Sequence, residues 1–296
     1  MNSREIKFNK IYGFQVAYWL KGGPVHEVVK NWDDDFAFGH DPREEDFLWM
    51  LRQVLKEGDI FCDIGANIGL TTLAALRKIG KNGFVYAIEP DPRNQKLLSI
   101  TCQKNNLLNR MNILPFAISN KPGKVKFLFD KSTNLSRIDS NGVEVDCLSL
   151  STMKWYRGIP SVFKMDAEGA EVEIIEGAID LFKSNPNKTF RLLIEVHPST
   201  YTSERSFEKQ LVNLLDIGFK FKFVASAGYF KPKIFEELGY EPHLIFQDGN
   251  YTRGVYTNID EEHALYYSTH VEKSYIPDVE EWTDKIVRSI LLERKG

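Results

Sequence analysis

The sequence has few cysteines and no long apolar run. Its three cysteines are an odd number, and none belongs to a Cys-x-x-Cys pair, which argues against both a disulfide framework and a zinc site. No apolar stretch reaches the roughly 18 residues of a membrane-spanning helix. The charged start of the chain also lacks the apolar centre of a signal peptide. These absences predict a cytoplasmic protein without a membrane partner.

The chain also lacks an excess of charge of one sign. Lys and Arg number 38 and Asp and Glu number 41, which gives a formal net charge of −3. Because acids and bases are interspersed, the sequence predicts no basic surface for nucleic acid or for an anionic membrane. With 296 residues, the chain is long enough for one well-buried core with additions at its ends.

Strand-like and helix-like segments alternate through the middle of the chain. We predict a helix over Pro42–Lys56, with Asp41 as its N-cap, and strands over Ile60–Ile64 and Gly83–Ile88. This alternation is typical of a parallel sheet that is covered by helices on both faces. In such a sheet, ligands bind beyond the carboxyl ends of the strands, near the point where the strand order reverses.

A glycine-containing loop, Asp63-Ile-Gly-Ala-Asn-Ile-Gly69, follows the first of these strands. A dinucleotide-binding turn has glycine at its first, third and sixth positions, where this chain has Gly65, Asn67 and Leu70. Two of the three positions therefore differ. The alternation of Asp63, Gly65, Asn67 and Gly69 instead suits S-adenosylmethionine, whose carboxylate can face the helix dipole and whose ammonium can face Asp63 directly or through water.

The next strand supports a nucleoside site. Glu89 closes it, and a carboxylate at that position can accept hydrogen bonds from ribose hydroxyls. Asp91 and Pro92 predict the N-cap and first position of the following helix. Ala117 and Ile118 follow a third strand and are expected to lie against the adenine. We therefore predict that Glu89, Asp91, Ala117 and Ile118 contribute to cofactor binding.

A second motif, Lys164-Met-Asp-Ala-Glu-Gly-Ala-Glu171, follows a later strand and delivers Asp166 at its end. The next strand, Phe190–Val196, delivers Glu195 and is followed by His197. Because all of these residues follow parallel strands, we expect them to meet Asp63 and Glu89 in one cleft.

Several roles are open to the residues of this second motif. We predict that Asp166 and His197 are catalytic, with His197 as a general base because a histidine pKa near 6.5 allows proton uptake at neutral pH. His197 could equally cap the strand end. Asp166 could contact the cofactor, cap the next helix, or bind Mg²⁺ or Mn²⁺ together with Glu195 and His197. Glu168 and Glu171 fit the first turn of a helix on dipole grounds alone.

With these motifs the sequence resembles the FkbM-type S-adenosylmethionine-dependent methyltransferases over roughly residues 45 to 248. The resemblance implies a Rossmann-like, doubly wound α/β fold with a mostly parallel, seven-stranded sheet. Its last strands would form an antiparallel hairpin, here Phe219–Val224 with Pro242–Gln247 or Arg253–Tyr256. The resemblance also implies S-adenosylmethionine as cofactor and O-methylation of a small-molecule hydroxyl on a sugar, a polyketide or another secondary metabolite. A magnesium requirement is not favoured.

The resemblance divides the chain into three parts. Residues 1–44 form an aromatic-rich N-terminal extension that could cover the substrate, 45–257 the methyltransferase domain, and 258–296 a C-terminal helical extension. In the last part, Val279–Glu293 places apolar residues on one helical face, which predicts an amphipathic helix. That helix could dock on the domain or on a second copy, so the sequence leaves a homo-oligomer open.

Two other functions compete with a methyltransferase. A nicotinamide-dependent oxidoreductase is disfavoured by Asn67 and Leu70 and by the second motif, which has no role in that class. A non-catalytic module on the same scaffold is disfavoured because the candidate site residues are all present, namely Asp63, Glu89, Asp166 and His197. The sequence does not distinguish O-methylation from N- or C-methylation.

Overall fold

A computed structural model describes residues 5–20, 24–31, 44–130 and 136–296. The predicted N-cap Asp41 and the predicted first helical residue Pro42 lie outside these ranges. In the described part of the chain, no helix is both long enough and apolar enough to span a bilayer. All three cysteines are buried and free.

Helices and strands alternate through most of the chain. The helices are α1 (Pro24–Lys30), α2 (Glu45–Val54), α3 (Leu70–Lys78), α4 (Pro92–Lys104), α5 (Glu171–Glu176), α6 (Ile179–Lys183), α7 (Phe207–Asp216), α8 (Lys233–Glu237) and α9 (Glu261–Thr269). The strands are β1 (Ile6–Ile11), β2 (Phe14–Trp19), β3 (Ile60–Ile64), β4 (Phe84–Ile88), β5 (Met111–Leu114), β6 (Ala117–Ile118), β7 (Gly123–Leu128), β8 (Arg137–Ile138), β9 (Val143–Leu148), β10 (Val162–Met165), β11 (Phe190–Glu195), β12 (Lys220–Ser226), β13 (Leu244–Asp248), β14 (Tyr251–Tyr256), β15 (Ser274–Ile276), β16 (Glu281–Thr283) and β17 (Val287–Arg294).

The central sheet has nine strands in the order β13-β14-β12-β17-β11-β10-β3-β4-β5. The five strands from β11 to β5 pair in parallel, whereas β17, β12, β14 and β13 are joined by antiparallel pairings. The α/β prediction is confirmed, but the expected seven-stranded, mostly parallel sheet is not. The extra strands come from the C-terminal third of the chain.

The C-terminal end of the chain corrects our prediction most clearly. Val279–Glu293 is not an amphipathic helix, because it contains β16 and most of β17. β17 lies between β11 and β12, and all of its residues except Glu293 are buried. A strand that is buried on both faces shows no two-residue alternation, so its short apolar run could not be distinguished from a helical face. The C-terminal extension is therefore helical only in α9.

Helices cover both faces of the sheet. One apolar cluster packs α2, α3 and α4 against it, and a second packs α5, α6, α7 and α9 against the opposite face. The β1–β2 hairpin joins the first cluster, where the backbone N–H of Ala17 donates to Oγ1 of Thr101 in α4 at 3.0 Å. The described part of the N-terminal extension is thus packed against α4. The alternative hairpin partner Arg253–Tyr256 is confirmed, since Val224 pairs with Tyr256 across β12 and β14.

Candidate active site

A cavity of about 660 Å³ opens at the carboxyl ends of β3, β4, β10 and β11. This volume lies within the range of about 300–1,000 Å³ that is usual for small-molecule sites. Its walls include the glycine loop, Glu89, Ala117, Asp166 and Glu195. Seven carboxylates and four cationic side chains of the described residues line it. The cavity therefore suits a cationic ligand.

The glycine loop brings backbone close to the end of β10. Gly65 has a φ of +75°, and a Cβ built at this position would lie 2.0 Å from the carbonyl oxygen of Asp166. Only glycine fits such a position without movement of the backbone. Beyond the loop, α3 begins after Gly69, with no cap from any described side chain. The first N–H groups of α3 are thus available to a ligand carboxylate.

Glu89 presents a nearly buried carboxylate to the cavity, with 5% of the residue exposed. Its Oε2 accepts from the backbone N–H of Asn67 at 2.7 Å, and its Oε1 from that of Asp91 at 2.8 Å. Burial raises the pKa of Glu89 to about 7 despite these hydrogen bonds. The carboxylate retains lone pairs that ribose hydroxyls could use.

Asp91 has a different place from the one predicted. It is fully buried, caps α4 by accepting from the backbone N–H of Arg93 at 2.8 Å, and pairs with the Arg93 guanidinium at 2.6 Å. It is absent from the described cavity wall. The structure therefore gives Asp91 the role of holding Glu89 and α4 in place. Ala117 and Ile118, in contrast, do line the cavity, next to Phe116.

Asp63 lies below the cavity wall in a buried ion pair. It is fully buried, its Oδ2 accepts from Oγ1 of Thr72 at 2.6 Å, and its Oδ1 is 3.2 Å from Nζ of Lys164. Burial alone would lower the pKa of Lys164, but the carboxylates of Asp63 and Asp166 raise it instead. Lys164 thus stays charged. The prediction that Asp63 directly faces the cofactor ammonium is not supported by this arrangement.

Lys164 also fixes the glycine loop. Its Nζ donates to the carbonyl oxygen of Gly65 at 2.8 Å and to that of Ile64 at 3.3 Å. It lies 3.7 Å from Oδ2 of Asp166, which lines the cavity. One buried ammonium therefore ties the loop after β3 to the carboxylate after β10. The sequence motif alone does not predict this role for Lys164.

His197 is held as a cation outside the described cavity wall. Its Nδ1 is 3.2 Å from Oε1 of Glu171, a fully buried carboxylate that also accepts from the hydroxyl of Tyr201 at 3.2 Å. Burial alone would lower the pKa of His197, but Glu171 outweighs this and the pKa rises to about 9. The expectation that His197 has a pKa near 6.5 is therefore wrong, and with it the reason for assigning it as the base.

Glu168, in contrast, does line the cavity. Its backbone is left-handed, with a φ of 50°, and Gly169 follows with a φ of 99°. Burial, followed by the nearby charge of Asp166, raises the pKa of Glu168 to about 7. A carboxyl with a pKa near the working pH is suited to proton transfer. Glycine at position 169 was a local sign that the helix begins only after Glu168, and α5 indeed starts at Glu171.

The metal alternative involves a different set of ligands from the predicted one. Ligand atoms of Asp166, Glu168 and His197 lie within 4.8 Å of one another, close enough to hold a divalent cation. Glu195, the third member of the predicted set with Asp166 and His197, instead lies 3.2 Å from Nη2 of Arg288. The structure thus places Glu168 where the sequence suggested Glu195.

The sequence is similar to known methyltransferases. The family model described as the methyltransferase FkbM domain matches residues 63–229. Hexuronic acid methyltransferase AglP of Haloferax volcanii is 26% identical over 192 residues, which cover 57% of this chain and 75% of that protein.

Solved structures are similar at lower identity. An FkbM methyltransferase from Methylobacillus flagellatus is 23% identical with a TM-score of 0.38, over 53% of this chain and only 36% of that one. An S-adenosylmethionine-dependent O-methyltransferase from Thermotoga maritima is 14% identical with a TM-score of 0.43, over 98% of this chain and 78% of that one.

Proposed function

The chain belongs to the methyltransferase FkbM domain family and is an S-adenosylmethionine-dependent enzyme, and from this premise we propose that it methylates a hydroxyl group of a small molecule. The observation that carries the proposal is that Glu168 and Asp166 line the same cavity as Glu89 and the glycine loop. One cavity thus combines a nucleoside site with carboxylates that can receive a hydroxyl proton. The hexuronic acid named for the relative supports a sugar-like acceptor.

The residues present fit the cofactor. The uncapped start of α3 suits its carboxylate, the buried carboxylate of Glu89 suits its ribose hydroxyls, and Phe116, Ala117 and Ile118 offer an apolar wall for the adenine. The excess of carboxylates suits its positive charge. When bound, the cofactor supplies an electrophilic methyl group on a sulfonium.

The remaining work falls to the protein's own residues. They must hold the acceptor oxygen in line with the methyl group, which can supply much of the rate enhancement, and they must remove the hydroxyl proton. We propose that Glu168 accepts this proton. His197, whose Nε2 is 3.7 Å from Oε2 of Glu168, would orient that carboxylate, and Asp166 would contact the cofactor or the acceptor hydroxyl.

A thermal-shift titration tests the cofactor and the class of enzyme. We expect S-adenosylmethionine and S-adenosylhomocysteine to raise the Tm and NAD to leave it unchanged. A ligand at 100 times its Kd stabilises the native state by about 2.7 kcal/mol. Stabilisation by NAD alone would contradict the proposal.

A second experiment decides the kind of methylation. A tritiated methyl group is transferred to the acceptor, and mass spectrometry identifies whether it is bound to an oxygen, a nitrogen or a carbon.

Cofactor binding is expected to weaken below neutral pH. Ribose hydroxyls donate to the charged form of Glu89, so binding lowers its pKa below the value of about 7 in the free protein. Affinity is therefore full above pH 7 and is lost as the pH falls through 7, by about tenfold between pH 8 and pH 6. Calorimetry with 5′-methylthioadenosine, which has the ribose but no ammonium, measures this. Glu89→Gln is the control, and its affinity should be weaker and independent of pH.

A further inference from the structure

A short hairpin at the cavity rim carries two exposed aromatic rings. Tyr275 in β15 and Trp282 in β16 are direct cross-strand partners, and their ring centroids are 5.4 Å apart. Trp282 is 69% exposed and Tyr275 45%, although large aromatic side chains normally bury most of their surface. Trp282 also lines the cavity. The packing of the described residues does not account for a tryptophan that is left open at this position.

The hairpin is fixed to the central sheet. Ile276 is 4% exposed, and a Cβ built at Gly228, just after β12, would lie 2.4 Å from Cδ1 of Ile276. The hydroxyl of Thr252 in β14 donates to Oδ2 of Asp278 at 2.6 Å. The exposed rings are therefore presented by a hairpin that is docked on the central sheet.

Polar groups of the same segment complete this part of the cavity. Glu281, Thr283 and Asp284 flank Trp282 in sequence and line the cavity with it. The only described contact to the side chain of Glu281 is a long hydrogen bond of 3.4 Å from the hydroxyl of Tyr251. Carboxylates accept hydrogen bonds readily, so a ligand with several hydroxyl groups would match this surface.

The cations at this end of the cavity already have anionic or carbonyl partners. Nη2 of Arg288 lies 3.1 Å from Oε1 of Glu44 and 3.2 Å from Oε2 of Glu195. Nζ of Lys285 donates to the carbonyl oxygen of Val196 at 3.1 Å. Nε of Arg253, which also lines the cavity, lies 3.7 Å from Oδ1 of Asp46. A negatively charged acceptor would have to compete with these partners and would also approach Glu281 and Asp284. The charges therefore favour an uncharged acceptor.

From these observations we infer that the β15–β16 hairpin is the acceptor subsite and that Trp282 stacks on one face of an uncharged, hydroxyl-bearing sugar ring. The inference rests on the proposed methyltransferase function and adds to it the place and the charge of the acceptor. The hairpin lies outside residues 63–229, which match the family model. It is thus a feature of this chain's own C-terminal part.

Substitution of Trp282 tests the inference. The probes are methyl β-D-glucopyranoside, methyl β-D-galactopyranoside, methyl α-L-rhamnopyranoside, methyl β-D-glucuronide and catechol, assayed for transfer of a tritiated methyl group. We expect a neutral glycoside to be the best acceptor. Trp282→Ala should lower its kcat/KM by about tenfold, while Trp282→Tyr retains most of the activity. Tyr156→Ala is the matched control, because Tyr156 is 81% exposed and lies off the described cavity wall.

The outcomes separate this inference from the proposed function. Failure of S-adenosylhomocysteine to bind the unmodified protein in calorimetry would overturn the proposed function itself. If S-adenosylhomocysteine binds the unmodified protein and Trp282→Ala equally, the cofactor site is intact in the variant. The methylation assays with the different acceptors then test the acceptor subsite alone. Unchanged kcat/KM in Trp282→Ala, preference for the glucuronide or catechol, or no methylation of any glycoside would each overturn the acceptor subsite.

Discussion

Replacing Lys164 with methionine is expected to lower the free energy of unfolding by about 3–5 kcal/mol, which is the usual cost of removing one partner from a buried ion pair. Methionine fills a similar volume, so the loss does not come from a cavity. It comes from Asp63, whose fully buried Oδ1 has Lys164 at 3.2 Å and would be left as an unpaired charge. Urea unfolding followed by circular dichroism measures the change.

The double variant Asp63→Asn with Lys164→Met is the control for that explanation. It removes both charges, so we expect it to be more stable than Lys164→Met alone, with a clear coupling energy in a double-mutant cycle. Asp63→Asn alone should lower the free energy of unfolding less than Lys164→Met does. In this variant the ammonium group still contacts the carbonyl oxygens of Ile64 and Gly65 and the carboxylate of Asp166. Additive effects of the two single variants would show that the ion pair is not the cause.

The parts of the fold that were predicted correctly depend on local chemistry. β3 spans Ile60–Ile64 as expected, and α3 begins at Leu70 directly after the glycine loop. Asp91 caps α4 with Pro92 at the first position, since these residue types favour that geometry in almost any context. Short-range patterns of this kind are readable without knowledge of the partners across the fold.

The errors concern segments whose state depends on distant partners. β17 is a strand because β11 and β12, nearly a hundred and about seventy residues earlier in the chain, flank it on both sides. The charge of His197 depends on Glu171, which a different element places at 3.2 Å from its ring. Neither partner is close enough in sequence to leave a local pattern. The same holds for Trp282, whose position at the cavity rim follows from the docking of β15 and β16.

Glu168 was not predicted to be catalytic for another reason. Acidic residues are common in the first turn of a helix, so a run of Glu168 and Glu171 before an apolar face has an ordinary explanation. The structure separates the two residues. Glu171 is fully buried and starts α5, whereas Glu168 precedes the helix in a left-handed conformation and reaches the cavity. The site could therefore be located from the sequence, but the roles of its carboxylates could not.

Glu168→Gln is expected to lower kcat by about 10²- to 10⁴-fold, the range typical of a lost general base, while the Kd for S-adenosylhomocysteine stays the same. Glutamine keeps the size and hydrogen-bonding capacity of the side chain but cannot take up the proton. His197→Gln should have a smaller effect on kcat, because His197 acts through the carboxylates of Glu168 and Glu171. Single-turnover assays with a saturating acceptor measure both variants.

The pH profile distinguishes the two candidates for the base. With Glu168 as the base, the single-turnover rate rises with pH and levels off above about 7, the value to which burial raises its pKa. With His197 as the base, the rate would continue to rise to about pH 9, since Glu171 holds the imidazolium charged up to that pH. If the rise in rate near pH 7 is absent in Glu168→Gln, this agrees with Glu168 as the base. A rise in rate near pH 9 that disappears in His197→Gln would contradict the assignment of Glu168 as the base. Activity that is abolished by EDTA and restored by Mg²⁺ would make Glu168 a metal ligand instead.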